Sequence, residues 1–173
     1  MKPALFIDRD GTLNYDCPYC KNISEIRIYE DIFDPIKLLS KNYYIIIVTN
    51  QSGIAKGIFS VIDLGKMNKK IKDSIESRGG RVDRIYYCPH KNEDKCECRK
   101  PNIGMVYDAL REFSIDLDKS FVIGDDDKDI MFARNAGIKS IRIRRQGTIN
   151  GDYFAEDFYD VVSIISKSTR NVK

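Results

Sequence analysis

The chain has 173 residues, 42% hydrophobic and 32% charged, which supplies a real core and excludes a wholly disordered chain. The formal net charge of +3 makes no case for nucleic acid, and the basic clusters at 66–72, 142–145 and 167–173 read as solvated surface and a frayed end. No apolar run approaches a membrane span and the first seven residues are too short for a signal peptide, so a cytosolic monomer with one domain over 1–173 is expected. The five cysteines are then expected as thiols or metal ligands, not disulfides.

The apolar run 4–7 reads as a buried parallel strand. Asp34-Pro35 pairs an N-cap with proline at the first helical position, ahead of Ile36, Leu38 and Leu39. Residues 43–48 form the strongest strand signal and end at Thr49-Asn50. Ser60 caps a helix whose apolar positions Val61, Leu64, Met67, Ile71 and Ile75 fall on one stripe, with Gly79-Gly80 ending it. Strands are predicted at 83–87, 120–123 and 140–143. Helices are predicted after Pro101-Asn102, through Met105, Val106, Leu110 and Phe113, over 129–136 with Gly137 as the stop, and over 157–166.

Strands thus alternate with helices, which predicts an α/β, Rossmann-like fold: a parallel sheet with helices on both faces. Ligands in such sheets bind beyond the carboxyl ends of the strands. Polar residues at three of those ends, Asp8, Thr49 and Asp125, are expected to converge on one crevice.

Asp8 and Asp10 flank Arg9 directly after a buried strand, so alternation lets both carboxylates point the same way. Asp8 suits a nucleophile or metal ligand, and Asp10 a proton donor and acceptor. A surface turn or calcium loop offers the same tetrapeptide, but an EF-hand needs Glu at the twelfth loop position, where Tyr19 stands. Thr49 and Asn50 suit phosphate oxygens, although a plain turn accounts for them too. Lys100 can act as a point charge on phosphate and Arg99 as a fork, or both as solvated cations. The carboxylates of 125–129 suit Mg²⁺, with a helix N-terminus as the plainer account of Asp127.

Cys88, His90, Cys96 and Cys98 make two short chelating pairs around a hydrophilic loop and use the only histidine in the chain. Their number and softness suit a closed structural Zn²⁺ site; free thiols or a disulfide are the alternatives. Cys17 and Cys20 have the Cys-x-x-Cys spacing but no second pair, and read as two ordinary thiols, with a redox pair as the minor alternative.

The order Asp-x-Asp-Gly-Thr, Thr-Asn, Lys and Gly-Asp-Asp-x-x-Asp resembles the haloacid dehalogenase superfamily of phosphohydrolases over essentially the whole chain. The stretches 49–57, Tyr87-Cys88-Pro89-His90 and Cys96-Glu97-Cys98-Arg99-Lys100-Pro101 are similar to its heptose bisphosphate phosphatase and histidinol-phosphatase branch. That resemblance implies a phosphomonoesterase in which Asp8 attacks phosphorus, Asp10 is the general acid and base, and Thr49 and Lys100 stabilise the phosphoryl group. It implies Mg²⁺ on Asp8, the Asp10 backbone carbonyl and Asp125, with Asp126 as a further candidate. It also implies contacts from Asp16, Tyr19, Asn50, Gln51, Ser52 and Arg99 to a small phosphorylated metabolite. No segment is long enough for a large cap domain. The chain departs from the pattern at Cys17-Pro18-Tyr19-Cys20 and at Asp126, where heptose phosphatases tend to carry lysine. Histidinol phosphate and a non-catalytic phosphate-binding module remain the alternatives.

Overall fold

The computed structural model describes residues 1–144 and 148–170. Its centre is a parallel six-stranded sheet in the order β3-β2-β1-β4-β5-β6. The strands are β1 (Ala4–Ile7), β2 (Tyr44–Asn50), β3 (Arg84–Cys88), β4 (Phe121–Gly124), β5 (Lys139–Ile143) and β6 (Tyr153–Ala155). β1 and β4 are buried at every residue, as expected of central strands covered on both faces.

Alternation along these strands splits the core in two. Leu5, Ile7, Ile45, Ile47, Ile123 and Ile141 face one side. There they pack against α1 (Phe33–Leu39), α2 (Val61–Ser77) and α5 (Phe158–Arg170) through Ile36, Ile71 and Val161. Phe6, Ile46, Val48 and Val122 face the other side, where α3 (Gly104–Glu112) and α4 (Asp127–Ala136) bring Met105, Val106, Phe132 and Ala133. Each fully buried aliphatic side chain contributes about 1.5–3 kcal/mol.

Local signals set the ends. Ser60 and Asp63 form a capping box at α2, and Gly137, at φ +67°, closes α4. Asp34 is not the cap of α1: Ile32 holds that position, because the 3-10 turn Glu30–Ile32 runs straight into the helix. The strand β6 was not foreseen. Its three residues pair only with β5, and the segment is too short for periodicity to register.

The basic cluster at 142–145 is not plain solvated surface. Arg142 is buried, and Arg144 pairs with Asp31 at 2.7 Å and stacks on Tyr29. Arg145 lies outside the described residues. The tail is helical through Arg170 rather than frayed from Lys167, and 171–173 lie outside the described residues. Among the described residues no helix is long and apolar enough to cross a membrane.

Candidate active site

The neighbours β2, β1 and β4 end at one edge of the sheet, and their C-termini deliver Thr49, Asp8 and Asp125 to a crevice of about 180 Å³. The Asp8 backbone is fixed by its N–H, which donates to the Ile123 carbonyl at 2.9 Å. Gly11 follows at φ +84°, and a Cβ there would stand 2.4 Å from Oδ2 of Asp125. Only glycine lets the turn carry the chain past that carboxylate.

Asp8 lies at the base of the crevice, 4% exposed. The Lys100 ammonium donates to Oδ1 of Asp8, to Oδ1 of Asp129 at 2.6 Å and to the Val48 carbonyl at 2.9 Å. Thr12 donates its hydroxyl to Oδ1 of Asp125 at 3.1 Å. Burial pushes the Asp8 carboxyl up to about 8; Lys100 opposes the rise, and Asp129 and Asp125 add to it. Burial, then Asp129, raises Asp125 to about 6. Burial works against the charge of Lys100, but Asp129 and Asp8 outweigh it and raise its pKa.

Three buried carboxylates, Asp8, Asp125 and Asp129, place ligand oxygens within 4.8 Å of one another. Lys100 is the one cation buried among them, so the cluster carries excess negative charge. A hard divalent cation with oxygen ligands fits that deficit. The oxygens of Asp129 are already engaged, by Lys100 and by the Asp126 N–H at 3.2 Å, which leaves Asp8 and Asp125 as the better-placed pair.

Asp10 is held differently. It accepts from Arg9 Nη2 at 2.9 Å, Asn14 Nδ2 at 2.9 Å and Gln51 Nε2 at 2.7 Å. Burial would raise its carboxyl, but Arg9 and these hydrogen bonds hold it below the usual carboxylate range. Gln51 also donates to Thr49 Oγ1 at 2.8 Å, tying the end of β2 to Asp10.

The other expected contact residues separate. Asp16, Tyr19, Gln51 and Ser52 line the crevice. Asn50 also borders it, but its side chain clasps the Lys100 backbone through Nδ2 to the carbonyl at 3.1 Å and Oδ1 to the N–H at 3.0 Å. Arg99 does not line the crevice: it is bound to the His90 carbonyl at 3.0 Å and to Asn92, within the Cys88–Cys98 loop. Asp126 turns away from the metal-ligand position. It is the N-cap of α4, accepting from the Lys128 N–H at 3.1 Å and ammonium at 2.7 Å.

Cys88, His90, Cys96 and Cys98 converge as a second cluster. Their sulfurs are separated by 3.0–3.6 Å, and Nδ1 of His90 lies 3.3 Å from Sγ of Cys98. A tetrahedron with metal–sulfur bonds of about 2.3 Å has edges only slightly longer. Four soft donors this close fit one enclosed divalent ion. The loop is locked onto α3 at Gly104, whose N–H donates to the Glu97 carbonyl at 3.0 Å and whose missing Cβ leaves room for it.

Cys17 and Cys20 are not two ordinary thiols but a disulfide. The reason is local. The Cys20 N–H donates to the Cys17 carbonyl at 3.1 Å, closing a four-residue turn with Pro18 second and Tyr19 third, at φ +59°. That turn sets the Cα atoms 5.5 Å apart, within bonding range. A tyrosine in the left-handed region costs about 1–3 kcal/mol, which the closed ring and the Lys56 contact to its hydroxyl help offset.

Residues outside the expected set complete the site. Asp129 shares Lys100 with Asp8; its place in the acidic first turn of α4 hid it among helix-start carboxylates. Arg9 is 3% exposed and anchors Asp10 to Asn68. Arg142 donates to the Asp125 carbonyl and to Asp127, which also accepts from the Ile149 N–H at 2.8 Å. Asp127 is therefore a loop anchor, not only a helix-start charge.

Comparison with known proteins agrees with this architecture. A HAD-hydrolase-like family model matches residues 97–160. A probable D-glycero-D-manno-heptose-1,7-bisphosphate 7-phosphatase of Thermoplasma acidophilum is 45% identical over 78% of this chain and 86% of its own length. The D-glycero-beta-D-manno-heptose-1,7-bisphosphate 7-phosphatase of Pasteurella multocida is 36% identical over 95% of this chain and 97% of its own. Among solved structures, a D,D-heptose 1,7-bisphosphate phosphatase from B. bronchiseptica, complexed with magnesium and phosphate, superposes with a TM-score of 0.87 at 30% identity, covering 97% of this chain and 99% of that one. The chain belongs to the heptose bisphosphate phosphatase family of HAD-like hydrolases.

Proposed function

We propose that the protein removes one phosphate from a sugar bisphosphate, D-glycero-D-manno-heptose 1,7-bisphosphate, through a covalent phosphate ester on Asp8. The observation that supports this most is the buried Asp8 carboxylate, held by Lys100 on one oxygen and facing Asp125 across the crevice floor.

In this reading Asp8 attacks phosphorus, and Lys100 and Thr49 stabilise charge on the transferring group. Mg²⁺, on Asp8, the Asp10 carbonyl and Asp125, supplies the charge neutralisation that lets an anionic nucleophile approach an anionic ester. Asp10 protonates the leaving oxygen and then takes a proton from the hydrolytic water. Its resting environment favours the ionised form, which suits the second step. The incoming phosphate anion raises its proton affinity for the first. Asp16, Tyr19, Gln51 and Ser52 form the substrate wall, with Asn50 acting through the Lys100 backbone. Asp126 serves the helix and Lys128 rather than the metal.

Cys88, His90, Cys96 and Cys98 would hold Zn²⁺ as a complete set of four donors, and the ion would act structurally by fixing the segment that leads to Arg99 and Lys100. The working unit is one domain, a monomer, with no nucleic-acid or membrane partner.

A second reading, histidinol phosphate, is favoured by the exposed Asp16 carboxylate on the crevice wall, which suits an amine-bearing ester. Phosphate release with Mg²⁺ from the heptose bisphosphate and from histidinol phosphate separates the two. A kcat/KM at least tenfold higher for the bisphosphate is expected. The reverse order overturns the sugar assignment, and no turnover on either overturns catalysis.

A further inference from the structure

We propose that Cys17 and Cys20 are a thiol–disulfide exchange site that controls the wall of the phosphate crevice. Both cysteines, with Asp16, Pro18 and Tyr19, line the same crevice as Asp8 and Asp125. The disulfide therefore sits in the wall of the site, not on a remote surface. It is covalent closure of the very turn that holds Tyr19 at φ +59°, a region that side-chain-bearing residues leave when unbraced.

The two ends of the turn are held unequally. Cys20 is 4% exposed and packs in the main core, while Cys17 is only partly buried and is the sulfur a reductant reaches first. Tyr19 projects from the turn, 43% exposed, with its hydroxyl on the Lys56 ammonium and its ring beneath the same cation at 4.7 Å. Tyr19 thus stands in the crevice wall with Lys56 against it, and its position depends on the Cys17–Cys20 link. Glu25, the other possible metal ligand near these sulfurs, accepts from the Lys21 N–H and Asn22 Nδ2, and the two sulfurs are already bonded to each other. A metal is the poorer account of the pair.

The exchange balances as follows. The thiolate of a dithiol reductant attacks Sγ of Cys17, the Cys17–Cys20 bond breaks, and Cys20 leaves as a thiolate that takes up a proton. The second thiol of the reductant then displaces Cys17 as a thiol. The protein disulfide gains two electrons and two protons, and the reductant ends as a disulfide. The oxidised form presents the ordered wall and grips substrate; the reduced form releases Tyr19 and binds it more weakly. Cys88, Cys96 and Cys98 are in the separate cluster and take no part.

The effect on turnover rests on the phosphatase reading, but the redox chemistry is read independently. Purified full-length protein is oxidised or reduced with a dithiol, alkylated, and mapped by peptide mass; KM and kcat for the heptose bisphosphate are measured in each form and in the C17S/C20S variant. The expected result is reductant-dependent labelling of Cys17 and Cys20. Reduced wild type and C17S/C20S are expected to share a KM raised at least threefold over the oxidised protein, and the variant to ignore the reductant. Three results overturn the proposal: labelling of both cysteines after oxidation, equal KM in all forms, or a reductant response retained by C17S/C20S, which would place it at the Cys88 cluster. Correct labelling with no turnover in any form overturns the phosphatase reading instead, and leaves the exchange site standing.

Discussion

Asp129 meets the Lys100 ammonium at 2.6 Å with both side chains fully buried, and so holds the cation that also touches Asp8. A lone buried ammonium would be costly, and Asp8 alone could not keep Lys100 aligned while accepting a phosphoryl group. Asp129 therefore positions Lys100 without itself needing to touch substrate.

Removing that partner leaves the Lys100 ammonium with Asp8 and the Val48 carbonyl and one charged hydrogen bond short. Asp129→Ala is expected to lower stability by about 1–3 kcal/mol in urea unfolding. A displaced Lys100 is expected to reduce kcat by roughly 10²-fold in material that still folds. Wild-type stability and kcat in this variant would remove Asp129 from the account.

Removal of the proposed zinc is expected to act at a distance. Cys98 is two residues from Lys100, and Arg99 between them bonds to the His90 carbonyl. Chelation is expected to speed amide exchange across 89–98 and to lower kcat by up to roughly 10²-fold through displaced Lys100. Full activity in protein shown by metal analysis to lack zinc would contradict this.

A pH effect is expected away from the crevice. Asp152 accepts from the Ser140 N–H and hydroxyl, each at 2.7 Å; burial raises its carboxyl, but these bonds, with Arg134, together hold it below its ordinary value. A depressed carboxylate stabilises the fold above its unfolded pKa of about 3.9, and the contribution is lost as pH falls through the folded value. The carboxylate is exposed, so the gain is about 1 kcal/mol or less. Wild type minus Asp152→Asn stability, from thermal midpoints, should be positive at pH 6 and shrink below about pH 4. A constant difference down to pH 2 would contradict the assignment.

Much of this arrangement was legible in residue order. Apolar and β-branched runs located β1 to β5, and residues that end strands in a parallel sheet must share an edge, which brought Asp8, Thr49 and Asp125 together. Two short chelating pairs located the Cys88–His90 and Cys96–Cys98 cluster for the same reason of proximity. What stayed hidden depended on contacts distant in sequence or on backbone angles. The buried partner of Lys100 is 29 residues away. The Arg9 pairing with Asp10 depends on the guanidinium folding back rather than pointing to the opposite side. The Cys17–Cys20 bond depends on Tyr19 adopting a positive φ, which spacing does not announce. Asp126, a further candidate for the metal on sequence, is the N-cap of α4, a use that depends on where the helix starts.

The role of Asp8 is tested most directly by phosphate release from D-glycero-D-manno-heptose 1,7-bisphosphate with Mg²⁺, comparing wild type with Asp8→Asn. The account predicts one phosphate released per molecule by wild type and a loss of at least roughly 10³-fold in kcat for the variant, as for other covalent nucleophiles. Turnover by Asp8→Asn within tenfold of wild type would contradict it.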